Sequence, residues 1–126
     1  MRAILTSAFL LFLILTFCLF SAFHVSGIVS ETENLLQQAM ERQQQEDPLQ
    51  TARLIQLASE IWEKNEPYFG MVLCHDEIDA ILDEFARLEA YADSHDQDDF
   101  RSTCAALLAS LKHIREMEWP FAFNIL

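Results

Sequence analysis

The sequence predicts an all-α protein, with a single N-terminal transmembrane helix followed by a small antiparallel helical bundle. Three observations carry that prediction. No Asp, Glu, Lys or Arg occurs between Ala3 and Ser30. Beyond residue 47, apolar residues recur at three- and four-residue spacing, the period of a helix with one buried face. Glycine occurs only at 27 and 70, and β-branched residues are sparse outside the first segment, which disfavours tight β-turns and sheets. The 126 residues allow one domain at most. They divide into an anchor (residues 1–27), a helical stalk (28–46) and an acidic antiparallel bundle (47–126).

The anchor rests on residues 3–23, AILTSAFLLFLILTFCLFSAF, whose only polar side chains are hydroxyls and one thiol. A helix of that length spans roughly 30 Å, the thickness of a bilayer's hydrocarbon core. The hydroxyls of Thr6, Ser7, Thr16 and Ser21 can bond back to the helix backbone, so none forbids insertion. A cleaved signal peptide, cut after Gly27, is the competing reading. The apolar run exceeds the roughly 7–15 residues typical of such peptides, which favours an uncleaved anchor. Bulky Phe17 argues against lipidation at Cys18. Arg2 is the one basic residue before the span, and the next is Arg42. The positive-inside rule then expects a cytoplasmic N-terminus and an extracytoplasmic C-terminal domain.

Four helices are expected behind the anchor. Ser30 and Glu33 have capping-box spacing and open a helix with a narrow stripe of Leu35, Leu36, Ala39 and Met40, which prolongs the anchor or packs loosely as a stalk. Asp47-Pro48 opens the next, because Asp is a favoured N-cap and proline fits the first turn. Its stripe is Leu54, Leu57, Ala58, Ile61 and Trp62, and Pro67 ends it. A third helix runs from Tyr68 to Asp93, with Met71, Cys74, His75, Ile78, Ile81, Leu82, Phe85, Leu88 and Ala92 inward. Asp96 caps a fourth, whose stripe is Phe100, Cys104, Leu107, Leu108, Leu111, Ile114 and Met117, and Pro120 stops it. Short connections make consecutive helices antiparallel, and the last three close one small core.

Charge narrows the partners. Of 20 acidic and 8 basic residues, all but Arg2 lie beyond Gly27, so the domain is strongly anionic. Such a field repels phosphate backbones, which argues against nucleic acid. The run CHDEID (Cys74–Asp79) concentrates a thiol, an imidazole and carboxylates. His75 and Asp79, four apart on a helix, make half a metal site, and the hairpin register brings His113 or Glu116 towards His75. A core histidine satisfied by a hydrogen bond is the commoner outcome for such a residue, so no metal or cofactor is expected. The hairpin separates Cys74 and Cys104 by roughly 18 Å along the axis, against about 4.4–6.8 Å between the Cα atoms of a disulfide. Both are expected as buried free thiols. The loop DSHDQDDF (Asp93–Phe100) lacks the glycine that a calcium loop needs to turn.

The segments IWEKNEPYF (Ile61–Phe69), HDEID (His75–Asp79), FARLEAY (Phe85–Tyr91), KHIREME (Lys112–Glu118) and NIL (Asn124–Leu126) resemble the bacterial family known as domain of unknown function 4363. The resemblance implies a small membrane-anchored helical protein of Gram-positive-type bacteria, a companion of other integral membrane proteins, with no established activity. Cys74 and the acidic loop around Asp98 depart from its pattern. No nucleophile elbow, phosphate loop or catalytic triad is present, so no catalytic residue is assigned. The expectation is a non-enzymatic interaction or accessory subunit. It meets lipid through residues 3–23 and a membrane protein through the bundle, with Trp62 and Trp119 as candidate contacts and homo-oligomerisation open. The alternatives are a metal- or proton-handling domain centred on His75, with Asp79, His113 and Glu116, and a signal-cleaved secreted protein.

Overall fold

The computed structural model describes residues 1–94 and 96–124, with side chains as far as Met117. Five helices follow one another: α1 (Arg2–Gln44), α2 (Pro48–Lys64), α3 (Glu66–Val72), α4 (His75–Asp93) and α5 (Gln97–Asn124). No strand occurs among the described residues. Helix α1 packs on α2 and α5, and α4 packs on the same two from the opposite corner. This is a four-helix arrangement in up-down-up-down order, with α3 inserted between α2 and α4.

Helix α1 differs from its expected division. It runs unbroken for 43 residues, so Ser30 is an exposed mid-helix residue and forms no capping box. Segment 28–46 is not a loose stalk either: Val25, Val29, Thr32, Leu36 and Ala39 are fully buried, and Ile28 nearly so. Their alternating four- and three-residue steps form a seam that faces a partner along a straight helix. Thr32 joins that seam at little cost because its hydroxyl donates to the Ile28 carbonyl at 2.8 Å. The N-terminal half of α1 is uncovered, with Phe9, Phe12, Phe17 and Phe20 exposed.

Helix α2 starts as its sequence dictates. The Asp47 carboxylate accepts the Gln50 N–H at 3.2 Å, and Pro48 occupies the first turn. The helix stops at Asn65 because Pro67 has no N–H to continue the ladder, and α3 begins with that proline in its own first turn. The single helix expected over 68–93 is thus two, α3 and α4. Leu73 and Cys74 are extended between them, with ψ of 159° and 139°. Two acids in the first turn of α4, Asp76 and Glu77, complement its N-terminal dipole and favour a fresh start there.

The expected inner faces of α4 and α5 hold from Ile78 to Ile114, whereas Met117, expected on the same stripe, is 46 % exposed. Ile78, Ile81, Phe85 and Leu88 meet Phe100, Cys104, Leu107, Leu111 and Ile114 in one core with the α1 seam and Ile55, Ala58, Trp62 and Phe69. Burying each of the larger side chains contributes about 1.5–3 kcal/mol, so the seam of α1 is a substantial share of the bundle's stability. Helix α5 continues past Pro120 to Asn124, contrary to the expected stop. The proline removes its own hydrogen bond to the turn before, while the N–H groups after it remain free to continue the ladder.

The two arms of the α1–α2 hairpin are matched in length. Twenty residues back from Gln44 lies His24, and twenty on from Pro48 lies Tyr68, and these two rings touch at 4.7 Å. Helix α3 therefore stands at the level where the strongly apolar stretch 3–23 of α1 ends.

Candidate functional site

An aromatic chain joins the apolar half of α1 to the bundle core. Phe20 stacks on His24 one helical turn away, with ring centroids 5.8 Å apart. His24 meets Tyr68 edge-on, Tyr68 lies 6.3 Å from Phe69, and Phe69 packs on Trp62 at 4.3 Å. Such ring pairs add to the simple burial of area. Trp62 is wholly buried, a core anchor as its place on the α2 stripe implies, so its side chain is not the exposed candidate contact. Trp119, its expected companion, lies outside the described side chains. Trp62 Nε1, Tyr68 Oη and Ser21 Oγ are buried without a hydrogen-bond partner among the described residues. His24 was not singled out in the sequence. Its signal was present, however, as the sole imidazole in the uncharged run, four residues after Phe20.

The His75 site is differently built from its expectation. His75 is the first residue of α4 and is exposed, because it stands at the end of the helix one turn before Ile78, the first buried residue of α4. It is not a core histidine. With Asp79 it lines a shallow hollow of about 360 Å³ whose other charged walls are Glu63 and Glu66. His113 lines a separate groove with Glu77, between Ile81 and Ile114. The antiparallel register is as expected, two residues up one helix and two down the other, but it presents Glu77 rather than His75 to His113. Glu116 is exposed and lies 3.9 Å from Lys112, within its own helix. Among the described residues no three His, Cys, Asp or Glu side chains converge as a metal site.

The cysteines divide as well. Cys74 is exposed, contrary to the expected buried thiol, because it sits in the extended link. Cys104 is buried, and desolvation pushes its thiol from 9.0 up to about 12. At the far end of the bundle, Gln43, Glu46, Asp47, Asp93 and Gln97 border a polar hollow between the two loops. In the neighbouring turn, Asp96 Oδ1 accepts the Asp99 N–H at 3.4 Å. A side-chain hydrogen bond to Asp96, and then its charge, raise the Asp99 carboxyl above the usual range.

These features define a small all-α bundle mounted on a helix whose N-terminal half is long and apolar enough to cross a membrane, with no assembled catalytic centre among the described residues. The chain belongs to the family described as Domain of unknown function (DUF4363), whose model matches residues 19–125. No curated protein and no solved structure matches the chain. The match begins inside the apolar segment. Ser21, Ala22 and Val25, all buried, are therefore within the family's domain.

Proposed function

We propose that this protein is a single-pass membrane protein whose acidic bundle stands outside the cytoplasm and binds another membrane protein as a non-enzymatic accessory subunit. One observation carries the reading: a single unbroken helix is bare and apolar over one half and is the core strand of a strongly anionic bundle over the other. An uncovered apolar surface of that length has no counterpart on ordinary water-soluble monomers and calls for lipid. Arg2 ahead of the span supports a cytoplasmic N-terminus. The burial of Ser21, Ala22 and Val25 supports an uncleaved chain, because cutting after Gly27 removes them from the fold.

The test is cross-linked affinity purification of the full-length chain from native membranes, repeated with residues 2–18 exchanged for an unrelated apolar helix. A membrane protein recovered reproducibly with both chains supports the accessory role and assigns the contact to the bundle. Recovery of the chain alone, beside a control complex that survives the same procedure, refutes the role.

A further inference from the structure

We propose that α3 is an interfacial wedge. Its uncharged segment, Pro67–Cys74, lies in the headgroup layer of the bilayer that α1 crosses, with the Met71 side chain directed into lipid. This rests on the membrane reading above and adds a second, short point of attachment.

Three features lead to it. The first is depth. The Tyr68 ring touches His24, the residue immediately after the uncharged apolar run 3–23, so α3 stands where the hydrocarbon core gives way to headgroups. The second is exposure. Met71, one turn beyond Tyr68, is 74 % exposed, while Phe69 on the opposite side is fully buried in the core. A seven-residue helix with one face in the core and a bare methionine on the other gains little from water. At the edge of a bilayer the same side chain is removed from water at no cost to the fold. The third is continuity. Phe20, one turn before His24, is 62 % exposed, and no Asp, Glu, Lys or Arg lies in residues 3–30 or 67–74.

The charge distribution selects the lipid surface. Glu63, Lys64 and Glu66 precede the segment and Asp76, Glu77 and Asp79 follow it, so carboxylates outnumber the one cation around the wedge by five to one. Anionic headgroups are repelled by that excess, so the attachment depends on apolar insertion and is strongest on zwitterionic lipid.

The experiment uses the full-length chain in phosphatidylcholine vesicles. An environment-sensitive fluorophore is placed at Leu13→Cys, Met71→Cys or Leu49→Cys in a background with Cys18→Ser, Cys74→Ser and Cys104→Ala. Nitroxide lipids then quench at shallow or deep positions. The expected pattern is deep quenching at residue 13, shallow quenching with a blue shift at residue 71, and no quenching at residue 49 at the far turn. Residue 13 in lipid with residue 71 fully aqueous overturns the wedge and leaves the anchor standing. Residue 13 outside lipid overturns both. A second measurement avoids the substitutions. Phosphatidylcholine with a photoreactive group near the top of its acyl chain should cross-link the unmodified protein within residues 67–74, and cross-links confined to residues 1–23 overturn the wedge. Replacing phosphatidylcholine with an anionic lipid should weaken the shallow quenching at residue 71 while leaving residue 13 unchanged. Stronger quenching there contradicts the assigned lipid preference.

Discussion

Arg115 Nη1 lies 3.0 Å from Glu33 Oε2 and ties α5 to the middle of α1. The two side chains are 30 % and 19 % exposed, and the second carboxylate oxygen of Glu33 is buried without a partner among the described residues. The pair therefore matters chiefly because it compensates a carboxylate that the fold has half desolvated. Arg115→Met should lower unfolding stability by about 1–2 kcal/mol, discounted for the remaining exposure, by leaving that charge alone. Adding Glu33→Met should recover much of the loss. Denaturant titration in detergent checks both, and a double variant no more stable than Arg115→Met contradicts the compensation argument.

Thiol chemistry should separate Cys74 from Cys104. Cys74 is exposed and should alkylate readily in the native protein, whereas Cys104 should react only when the bundle opens. The pH dependence has a definite sign. The folded thiol holds its proton to about 12 and the unfolded thiol to 9.0, so this group's contribution to stability is complete below pH 9. It declines as pH rises from 9 towards 12, because the unfolded state then releases the proton first. Peptide mapping of iodoacetamide adducts between pH 7 and 10 reads it. Native-state labelling of Cys104 at the rate of Cys74 contradicts the burial.

Truncation distinguishes the bundle's true beginning. A chain starting at residue 19 keeps Ser21, Ala22 and Val25, and should retain the helical content and cooperative unfolding of the full protein. A chain starting at residue 28 loses them and exposes the ring of Tyr68 where His24 covered it. It should be less stable by about 2–4 kcal/mol, from the apolar side chains removed and the void left behind. Equal melting midpoints for the two chains contradict the assignment of these residues to the core.

Gly27 lies in the middle of α1, and a Cβ added there meets nothing within 4 Å. Glycine in a helix interior costs about 0.5–1 kcal/mol relative to alanine through backbone entropy. Gly27→Ala should stabilise the protein by about that amount, read as a higher midpoint of thermal unfolding. A lower midpoint indicates that the backbone must bend at this point in use.

The faces of α4 and α5 and the starts of α2 and α5, punctuated by Asp47-Pro48 and Asp96, were legible in the sequence. The face of α2 was misjudged, because Leu54, Ile55, Leu57 and Ala58 crowd its surface and it is Ile55 that is buried and Leu57 that is exposed. The second half of α1 was not legible. Its seam of Val25, Val29, Thr32, Leu36 and Ala39 includes a hydroxyl and a small side chain, and Ser30 with Glu33 imitates a helix start. Glu33 instead answers Arg115, 82 residues away, a pairing that local spacing cannot express. His75 misled for a related reason. Helical periodicity carries through Met71, Cys74, His75 and Ile78, but the chain is extended at Leu73 and Cys74, which leaves Met71 off the core and His75 as the exposed first residue of a new helix. Only the tertiary contact of Tyr68 with His24 reveals where α3 must sit.

Helix α1 makes the protein a lever. No joint separates the uncovered apolar half from the half inside the bundle. From His24 to Gln44 the rigid arm is roughly 30 Å long, so a change of about 10° in the span's tilt swings the outer turn sideways by about 5 Å. In the membrane arrangement proposed above, such tilts follow from bilayer thickness and from neighbouring spans, and α3 stands at the fulcrum. In that arrangement the far loops, with Glu46, Asp47, Asp93 and Asp98, swing with the span as a pointer.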